Sequence, residues 1–559
     1  MYKKAHKVKS SFVFLFLILS LTVLCGRLFF IQIVKSDLYS RIAADQHKLI
    51  IPIEPRRGTI YDRNMKELVS LLPAYSVYAV AKELREKATA ARLLEPILNL
   101  DKKFLLEKLS RNKSFVYLSR KVHPEVADQI KDLGIDEIKL IACSRRSYPG
   151  GELASHVLGF CDVDNNGLEG LELYYDDYLK GVGGRYETSR DGRGFELAAL
   201  EANTVLAQDG YDLILTVDEI IQYMAQDALG KAVKKWKAKG GMIIVMDPRD
   251  GGILAMANHP TFDPNHLASF EAEQWRNRAV TDCFEPGSSF KIVTAAAALE
   301  EGLVEVNDKF YCEEGAYWVG GRTLHDYRPN GWLTFSEIIV KSSNIGTVKV
   351  AQNLGQEKVW SFARSFGFAR LTHVDLPGEI KGILREPSQW SKTSISAIPI
   401  GQEVAVTALQ LVSAISCIAN DGRLMKPRIV SQIMEKNGEV VRSFPPKIVR
   451  RVITKETAKN LKDILIKVVE EGTGRRTRIA GKKIAGKTGT AQKVKLDGSG
   501  YSNTRFVASF IGFAPADDPL FSMVVIIDEP IPHHFGGTVC APVFREVAQG
   551  ILRYLEVGD

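Results

Sequence analysis

Cysteine pairs are missing from this chain, and their absence excludes two kinds of site. The 559 residues include seven cysteines, scattered so that no two form a C-x-x-C pair. Neither a zinc-binding spacing nor a disulfide framework can be read from them. We therefore predict mostly free thiols and no metal site, and we assign no cofactor.

Dense positive charge is also missing. The chain has 74 Lys and Arg against 66 Asp and Glu, a net charge of +8, without the basic stripe expected of a nucleic-acid-binding protein. Internal repeats and low-complexity tracts are absent. Hydrophobic residues make up 45% and charged residues 25%, as in ordinary globular proteins. The length predicts two or more domains.

The amino-terminal region lacks an A-x-A signal-peptide cleavage site but contains a long apolar run. Residues 12–34 carry one charge, Arg27, and follow a lysine-rich segment. As a helix they would span roughly 35 Å, enough for a bilayer core of about 30 Å. Leu24 is too large for a lipoprotein site at Cys25. We predict a cytoplasmic tail at residues 1–11 and an uncleaved membrane anchor at 12–34.

Three short motifs follow one another along the rest of the chain. They are S-S-F-K at residues 288–291, S-S-N at 342–344 and K-T-G-T at 487–490. An isolated S-x-x-K would arise by chance about twice in a chain of this length. The ordered set is more informative, because it supplies a serine nucleophile, candidate proton carriers and a polar clamp for a carboxylate.

The first motif pairs a nucleophile with a base. Apolar and alanine-rich residues after Lys291 predict a buried helix that opens near Ser288. Side chains three residues apart on a helix lie about 5–6 Å apart, so Lys291 can reach the hydroxyl of Ser288. Apolar neighbours and the helix dipole favour its neutral amine, which can accept the serine proton. The alternative is a serine N-cap followed by a surface lysine.

The second motif is expected in a turn between two helices, with Ser342 and Asn344 facing a cleft. The alternative is a turn that only caps the second helix. The third motif is expected on a strand that lines the site.

Each residue of the third motif has an expected contact with a peptide substrate. Thr488 and Thr490 would hydrogen-bond a peptide carboxylate, Lys487 would supply positive potential, and Gly489 would admit a substrate backbone. The alternative is a surface turn.

The motif set, with E-P-G before the first serine, resembles that of the penicillin-recognising serine enzymes. Most of the chain resembles the class B penicillin-binding proteins. The resemblance implies that Ser288 forms an acyl-enzyme, that Ser342 relays a proton between Lys291 and the leaving amine, and that Asn344 holds Lys291 and the substrate amide. It further implies a catalytic role for Lys487 and an oxyanion hole made by the backbone N–H groups of Ser288 and Thr490.

The segment before the motifs resembles the non-catalytic pedestal of the same family at residues 51–64, 145–159 and 167–172. Met65 stands where the family usually has glycine. Arg57 is expected to pair with Asp62 or with later pedestal segments. A structural role is expected for His156.

The fold class implied is α+β. We expect an amino-terminal transmembrane helix, a mixed pedestal domain at residues 35–215 and a transpeptidase domain at 216–559. In the latter, strands at 241–246, 252–257, 506–514 and 521–527, together with the third-motif strand, predict an antiparallel sheet covered by helices.

Three residues near the second motif, Arg322, His325 and Asp326, are candidates to border the cleft. Gln402 and Thr407 are expected to be scaffold, and residues 470–474 resemble the family's loop before the third motif.

The function implied is that of a peptidoglycan D,D-transpeptidase acylated by β-lactams, of the septal cell-division type. An elongation-type transpeptidase is the alternative within the class; a membrane-anchored β-lactamase and a β-lactam sensor are the alternatives outside it. Residues 12–34 imply a single-pass protein of the bacterial cytoplasmic membrane with an extracytoplasmic catalytic domain.

The partners implied are peptidoglycan stem peptides, β-lactam antibiotics, a polytopic membrane glycosyltransferase of the shape, elongation, division and sporulation family, and divisome proteins. No nucleic acid is expected.

Overall fold

The computed structural model describes residues 2–111, 113, 115–190, 196–197, 203–495, 497–498 and 500–558. The chain divides into two compact units. One contains Met1–Arg56 with Gly181–Asp209, and the other contains Arg57–Lys180 with Gly210–Asp559.

The first unit combines the apolar helix with a small sheet. Its helices are Tyr2–Phe29, a π-helical continuation Phe30–Val34, and Ser36–His47; its strands are Lys48–Ile53, Gly184–Arg190, Glu196–Leu197 and Asn203–Val205. The segment Lys7–Val34 has a mean hydropathy of 2.4 and is long and apolar enough to cross a membrane. The predicted apolar helix is therefore present.

The second unit begins with a strand-rich region. Its helices are Lys87–Leu98, Lys102–Ser110, Pro124–Asp132, Ser155–Leu158, Gly170–Tyr174 and Asp176–Leu179. A seven-stranded sheet is formed by Val440–Ser443, Val430–Met434, Asp212–Leu215, Ile60–Tyr61, Glu67–Ala79, Val116–Val122 and Ile138–Ser147. This sheet draws two strands from beyond residue 430, so hydrogen bonding continues across the boundary expected at residue 215.

A buried ion cluster ties the early segments of this unit together. Arg57 pairs with Glu172 at 2.7 Å and with Asp176 at 2.6 Å, and Arg146 pairs with Glu172 at 2.6 Å. Of the two partners expected for Arg57, the structure thus selects the later pedestal segments. The Asp62 carboxylate instead accepts backbone N–H bonds, including that of Lys66 at 2.9 Å.

Two further pedestal residues can be placed. Met65 adopts φ 64°, the left-handed conformation that glycine would take without strain. His156 is buried, with its Nε2 2.8 Å from the carbonyl oxygen of Gln274 and its ring edge-to-face with Phe262. Burial lowers the pKa of His156 to about 4. Its contacts are those of a structural histidine.

A five-stranded antiparallel sheet organises the remainder of the second unit. The strand order is Ile253–His259, Gly240–Met246, Phe521–Asp528, Tyr501–Ala514 and Ala485–Val494. Every neighbouring pair is antiparallel. The predicted early hairpin, the late strands and the third-motif strand are confirmed.

Helices cover both faces of this sheet. On Phe521–Asp528, Met523, Val525 and Ile527 pack into one hydrophobic core, whereas Val524 and Ile526 pack into the other. Successive residues of a strand face opposite sides, so a continuous apolar run is required. The helices of this region are Glu219–Lys235, Ala272–Trp275, Arg278–Thr281, Lys291–Glu300, Phe335–Lys341, Asn344–Leu354, Gln356–Ser365, Ser394–Ala397, Ala408–Ala419, Lys455–Glu470, Gly536–Val539 and Ala541–Gly558.

Short elements complete the region. Three two-stranded ladders pair Lys309–Tyr311 with Trp332–Thr334, Ala316–Val319 with Arg322–His325, and Arg423–Met425 with Ile448–Arg451. The 3-10 turns are Pro264–Ser269, Gly287–Phe290, Glu313–Gly315, Pro387–Gln389, Ile398–Ile400 and Arg475–Thr477.

Candidate active site

Ser288 lies in a 3-10 turn, Gly287–Phe290, that leads directly into the helix Lys291–Glu300. The α-helix therefore begins at Lys291, three residues later than the helix predicted from sequence. Gly287 has φ 54°, and a Cβ there would lie 2.5 Å from the carbonyl oxygen of Thr490. Only glycine fits this position, and it seats the first motif directly against the third.

Lys291 is fully buried and its amine is held by the second motif. The Nζ atom donates to the carbonyl oxygen of Ser342 at 2.6 Å, to Ser342 Oγ at 3.3 Å and to Asn344 Oδ1 at 2.8 Å. Burial lowers the pKa of Lys291 to about 7, against the opposing charge of Asp326. A substantial fraction of this amine is neutral near pH 7, as the sequence predicted.

Ser342 connects the two motif lysines. It ends the helix Phe335–Lys341 with φ 60° and ψ 39°, an unusual backbone conformation for a residue other than glycine. Lys487 Nζ donates to Ser342 Oγ at 2.8 Å. Burial, followed by the charge of Lys291, lowers the pKa of Lys487 well below its usual value. The two amines thus share one hydroxyl, which is the arrangement a proton relay requires.

The amphipathic pattern of residues 333–341 predicts the helix before the second motif. The turn carrying Ser342 and Asn344 is confirmed, but that helix begins at Phe335. Residue 333 instead belongs to the short strand Trp332–Thr334. The second helix is Asn344–Leu354.

Asp326 organises the second motif, a role that the sequence did not reveal. Its Oδ2 accepts a hydrogen bond from Ser343 Oγ at 2.6 Å, and its Oδ1 accepts from the backbone N–H groups of Asn344 at 2.6 Å and Ile345 at 3.0 Å. This carboxylate caps the helix that Asn344 begins, where negative charge is stabilising. The signal available in the sequence was only its proximity to the motif.

The other two residues suggested to border the cleft behave differently. The carbonyl oxygen of His325 accepts a hydrogen bond from Asn344 Nδ2 at 2.9 Å. Arg322 donates to the carbonyl oxygen of Ser396 at 3.3 Å. His325 therefore contacts the second motif through its backbone, whereas Arg322 is hydrogen-bonded to the segment around Ser396.

The third motif lies on Ala485–Val494, the edge strand of the five-stranded sheet. Thr488 Oγ1 lies 2.8 Å from Thr473 Oγ1, and Thr490 Oγ1 accepts a hydrogen bond from the backbone N–H of Gly536 at 3.1 Å. Thr473 belongs to residues 470–474, the segment that resembles the family's loop before the third motif. The sequence did not predict its contact with Thr488.

Gly489 is needed for packing inside the protein. A Cβ there would lie 2.2 Å from Ser509 Oγ and 2.3 Å from Ser289 Oγ. Those two hydroxyls are themselves hydrogen-bonded at 3.0 Å. The strand thereby approaches the turn of Ser288 closely; approach of a substrate backbone to Gly489 stays a prediction.

Glu285, the acid of the E-P-G segment, links three pieces of chain behind the nucleophile. Its Oε1 accepts hydrogen bonds from the backbone N–H of Glu403 at 2.9 Å and from the hydroxyl of Tyr501 at 3.0 Å. Burial raises the pKa of Glu285.

Of the two scaffold residues named from sequence, Thr407 is buried and Gln402 is partly buried. Thr407 caps the helix Ala408–Ala419 by accepting from the backbone N–H of Gln410, which agrees with the expected structural role. Gln402 forms a backbone hydrogen bond to the carbonyl oxygen of Ala397 at 3.1 Å.

Within the part of the chain that the structure describes, no group of three or more His, Cys, Asp or Glu side chains is arranged to hold a metal ion. The free thiols Cys312, Cys417 and Cys540 are buried.

Comparison with known families agrees with this geometry. The penicillin-binding protein transpeptidase domain matches residues 241–549, and the penicillin-binding protein dimerisation domain matches residues 52–215. The chain belongs to the class B penicillin-binding proteins. All three motifs lie within residues 241–549, the range matched by the transpeptidase domain.

Relatives of this penicillin-binding protein are similar over nearly the whole chain. Stage V sporulation protein D of Bacillus subtilis is 36% identical over 555 residues, covering 98% of this chain and 85% of the relative. The probable peptidoglycan D,D-transpeptidase PenA of Neisseria gonorrhoeae is 35% identical, covering 90% and 85%. The peptidoglycan D,D-transpeptidase FtsI of Escherichia coli K12 is 32% identical, covering 97% and 91%.

Solved structures of penicillin-binding proteins share the fold. Penicillin-binding protein 3 of Mycobacterium tuberculosis, in complex with ampicillin, has a TM-score of 0.72 and 28% identity, covering 91% of this chain and 97% of that one. A peptidoglycan synthetase of Bifidobacterium adolescentis has a TM-score of 0.73 and 26% identity, covering 91% and 97%. The α+β class and the antiparallel sheet are those of this family.

Proposed function

We propose that this protein is a serine-type peptidoglycan D,D-transpeptidase, with Ser288 as its nucleophile. The observation that carries the proposal is Lys291, a buried amine with a pKa of about 7, fixed by Ser342 and Asn344 one turn after that serine. The substrate is the D-Ala-D-Ala end of a stem peptide, and β-lactams acylate the same hydroxyl. The relatives named as D,D-transpeptidases support this reaction.

In the first half-reaction, Ser288 Oγ attacks the carbonyl carbon of the penultimate D-Ala while its proton passes to neutral Lys291. The tetrahedral oxyanion is held by the backbone N–H groups of Ser288 and Thr490, donors worth about 3–4 kcal/mol each in comparable sites. Collapse breaks the peptide bond. The proton taken from Ser288 reaches the leaving D-Ala amine through Ser342.

In the second half-reaction, the amine of a neighbouring stem peptide attacks the acyl carbon. One proton of that amine returns through Ser342 and Lys291 to Ser288 Oγ as the ester bond breaks. A peptide bond replaces the one that was broken, so no external energy source is required. The shared hydrogen bonds of Ser342 with Lys291 and Lys487 support this relay.

The third motif supplies the binding site for the terminal carboxylate. Thr490 Oγ1 accepts from Gly536, which leaves its hydroxyl proton available to donate to the substrate. Thr488 shares its hydroxyl with Thr473 and provides a second donor. Gly489 lies between them and exposes backbone for a strand-like peptide.

Replacement of Ser288 tests the assignment of the nucleophile. Ser288→Ala should abolish covalent labelling by a fluorescent penicillin. Ser289→Ala is the matched control, because the Ser289 hydroxyl is buried against Ser509 and should not take part. Labelling of Ser288→Ala at the wild-type level, or its loss only in Ser289→Ala, would contradict the proposal.

The lifetime of the acyl-enzyme separates a transpeptidase from a β-lactamase. The second motif reads S-S-N rather than S-D-N, and no E-x-x-L-N segment lies between the second and third motifs in the sequence. We expect the penicilloyl complex to persist for many minutes after free antibiotic is removed. Rapid release of hydrolysed penicillin would favour the β-lactamase.

We also propose that the protein is a single-pass protein of the bacterial cytoplasmic membrane. The tail would be residues 1–11 and the anchor 12–34, followed by a pedestal at 35–215 and an extracytoplasmic transpeptidase domain at 216–559. The apolar segment Lys7–Val34 supports the anchor. Protease protection of the carboxyl-terminal domain in intact spheroplasts would contradict this orientation.

The septal role is the preferred cellular assignment, supported by similarity to the Escherichia coli FtsI protein. A polytopic membrane glycosyltransferase and divisome proteins are proposed partners, contacted through residues 12–34 and the pedestal. Depletion should produce filaments; rounded cells would instead indicate elongation.

Similarity to stage V sporulation protein D favours sporulation as a second cellular role. Normal division with defective spores after deletion would select it.

A further inference from the structure

A basic cavity lies in the second unit, away from the three motifs. It has a volume of about 1000 Å³, and none of its lining residues belongs to the motifs. Its walls come from the end of the helix Gln356–Ser365, the loop that follows, and the ladder of Arg423–Met425 with Ile448–Arg451. We call it the arginine cavity.

Positive charge in the arginine cavity exceeds negative charge. Among the described residues, six cationic side chains that line it form no ion pair, whereas the one acidic lining residue is Glu386. A seventh cation, Arg385, pairs with Glu403 at 2.5 Å. The six are Arg364, Arg370, Lys381, Lys426, Lys447 and Arg450.

Three of these guanidinium groups act on one another. Burial, followed by the charges of Arg370 and Arg450, lowers the pKa of Arg364, and the charge of Glu386 opposes this only in part. Burial, followed by the charge of Arg370, lowers the pKa of Arg450. Like charges held this close are destabilising unless an anion compensates them.

Buried hydrogen-bond donors at the same place also lack acceptors. Within the described part of the chain, Arg364 Nε and Trp360 Nε1 are buried without a hydrogen-bond partner. Both side chains line the cavity, and the Arg364 guanidinium lies 5.8 Å from the centre of the Trp360 ring. Unsatisfied buried donors are rare in native proteins, so they point to an external acceptor.

The wall of the cavity is fixed to the scaffold of the catalytic domain. Gln410 lines the cavity, and its Nε2 donates to the carbonyl oxygens of Arg370 at 2.8 Å and Lys381 at 2.9 Å. These bonds fix the backbone at two of the cationic residues. A fixed backbone reduces the entropy that is lost when their side chains bind a ligand.

We propose that the arginine cavity is a binding site for a phosphate-bearing anion with at least two negative charges. Guanidinium groups match phosphate oxygens in paired hydrogen bonds, and a phosphate offers more acceptor oxygens than a carboxylate for several guanidiniums to share. Six cations face one carboxylate, Glu386, so the net positive charge of the lining favours a ligand with more than one negative charge. The volume accommodates a diphosphate or two linked phosphodiesters, from either a soluble polymer or a lipid headgroup.

Calorimetric titration of the full-length protein in neutral detergent with sodium diphosphate tests the site. We expect the wild type to bind diphosphate saturably, one to one. The dissociation constant should be at least about tenfold higher in Arg370→Gln and in Arg450→Gln. Arg370 is exposed and repels Arg364 and Arg450, so its replacement should not lower the unfolding temperature. Arg92→Gln, an exposed arginine of the helix Lys87–Leu98, is the matched control and should bind as the wild type does.

Three results would overturn the proposal. They are absence of binding to the wild type, equal weakening in Arg92→Gln, and unchanged binding in both cavity variants. Succinate, which carries two carboxylates, should bind more weakly than diphosphate; equal binding would overturn the assignment to phosphate.

Displacement of bound diphosphate identifies the source of the ligand. Displacement by a glycerol-phosphate oligomer would support a soluble phosphodiester polymer. Displacement by short-chain phosphatidylglycerol would support a lipid headgroup. Displacement by neither would support a free phosphate compound in the same site.

Discussion

Lys291 donates a 2.6 Å hydrogen bond to the carbonyl oxygen of Ser342, a residue held in a left-handed backbone conformation. This bond, with that to Asn344, fixes the direction of the amine. Burial opposes its positive charge, whereas two acceptors and the charge of Asp326 favour it. The balance places the pKa of Lys291 near neutrality, which suits a base that must accept a proton and later return it.

Acylation should depend on pH through this amine. The pKa of Lys291 in the folded protein is about 7, so the neutral base predominates above that pH and the charged form below it. We expect the second-order rate constant for penicillin acylation to fall about tenfold per pH unit below 7 and to level off above it. Stopped-flow labelling between pH 5.5 and 8.5 measures this.

Two controls accompany the pH experiment. The unfolding temperature, recorded over the same range, separates titration of the base from loss of structure. Lys291→Gln should acylate roughly 100-fold or more slowly and without the step at pH 7. A wild-type rate that is constant from pH 5.5 to 8.5 would show that Lys291 does not act as the base.

Asp326 should act as a positioning residue. Asp326→Asn keeps the size of the side chain but places an amide where the carboxylate accepts four hydrogen bonds, at a cost of about 1–3 kcal/mol. The carboxylate also raises the pKa of Lys291, so its removal should lower that pKa. We expect slower acylation, with the pH step displaced below 7. Asp517→Asn, on the surface, is the matched control. If the pH step of Asp326→Asn stays at 7, Asp326 has only a structural role.

Gly489→Ala should destabilise the protein and slow acylation. The added Cβ would meet Ser509 Oγ at 2.2 Å and Ser289 Oγ at 2.3 Å, and overpacking of this kind costs about 1–3 kcal/mol. Gly230→Ala is the matched control, since a Cβ there meets nothing within 4 Å and lies inside the helix Glu219–Lys235. It should be neutral or stabilising by about 0.5–1 kcal/mol. Urea unfolding of the two variants should therefore shift in opposite directions; equal shifts would refute the packing argument.

Met65→Gly should stabilise the pedestal. Met65 has φ 64°, which costs a side-chain-bearing residue about 1–2 kcal/mol, and its side chain is 48% exposed, so little packing is lost. The flexibility of glycine in the unfolded chain offsets part of the gain. We expect a net increase of about 0.5–1 kcal/mol in the free energy of unfolding. Met65→Ala, which keeps a Cβ, should gain nothing, and an equal gain in both variants would argue against strain.

The sequence was sufficient to select the motif residues that the structure brings together and to predict most of the fold. Ser288, Lys291, Ser342 and Asn344 could be selected because their residue types and order are specific, although each motif alone is weak. The sheet could be predicted because strands such as Phe521–Asp528 are apolar on both faces. The apolar helix before residue 35 could be predicted from the length of the apolar run. Such features can be read from the sequence because they are set by residues that are close together in the chain.

The tertiary structure decided which distant side chains meet. Asp326 caps the second motif from 18 residues before Asn344, and Thr473 is hydrogen-bonded to Thr488 from 15 residues away. Arg364 and Arg450 lie 86 residues apart in sequence yet line one cavity. No local pattern marks such pairs, because hydrogen bonds and repulsion depend on distance in space, and only the packing of helices and strands sets that distance.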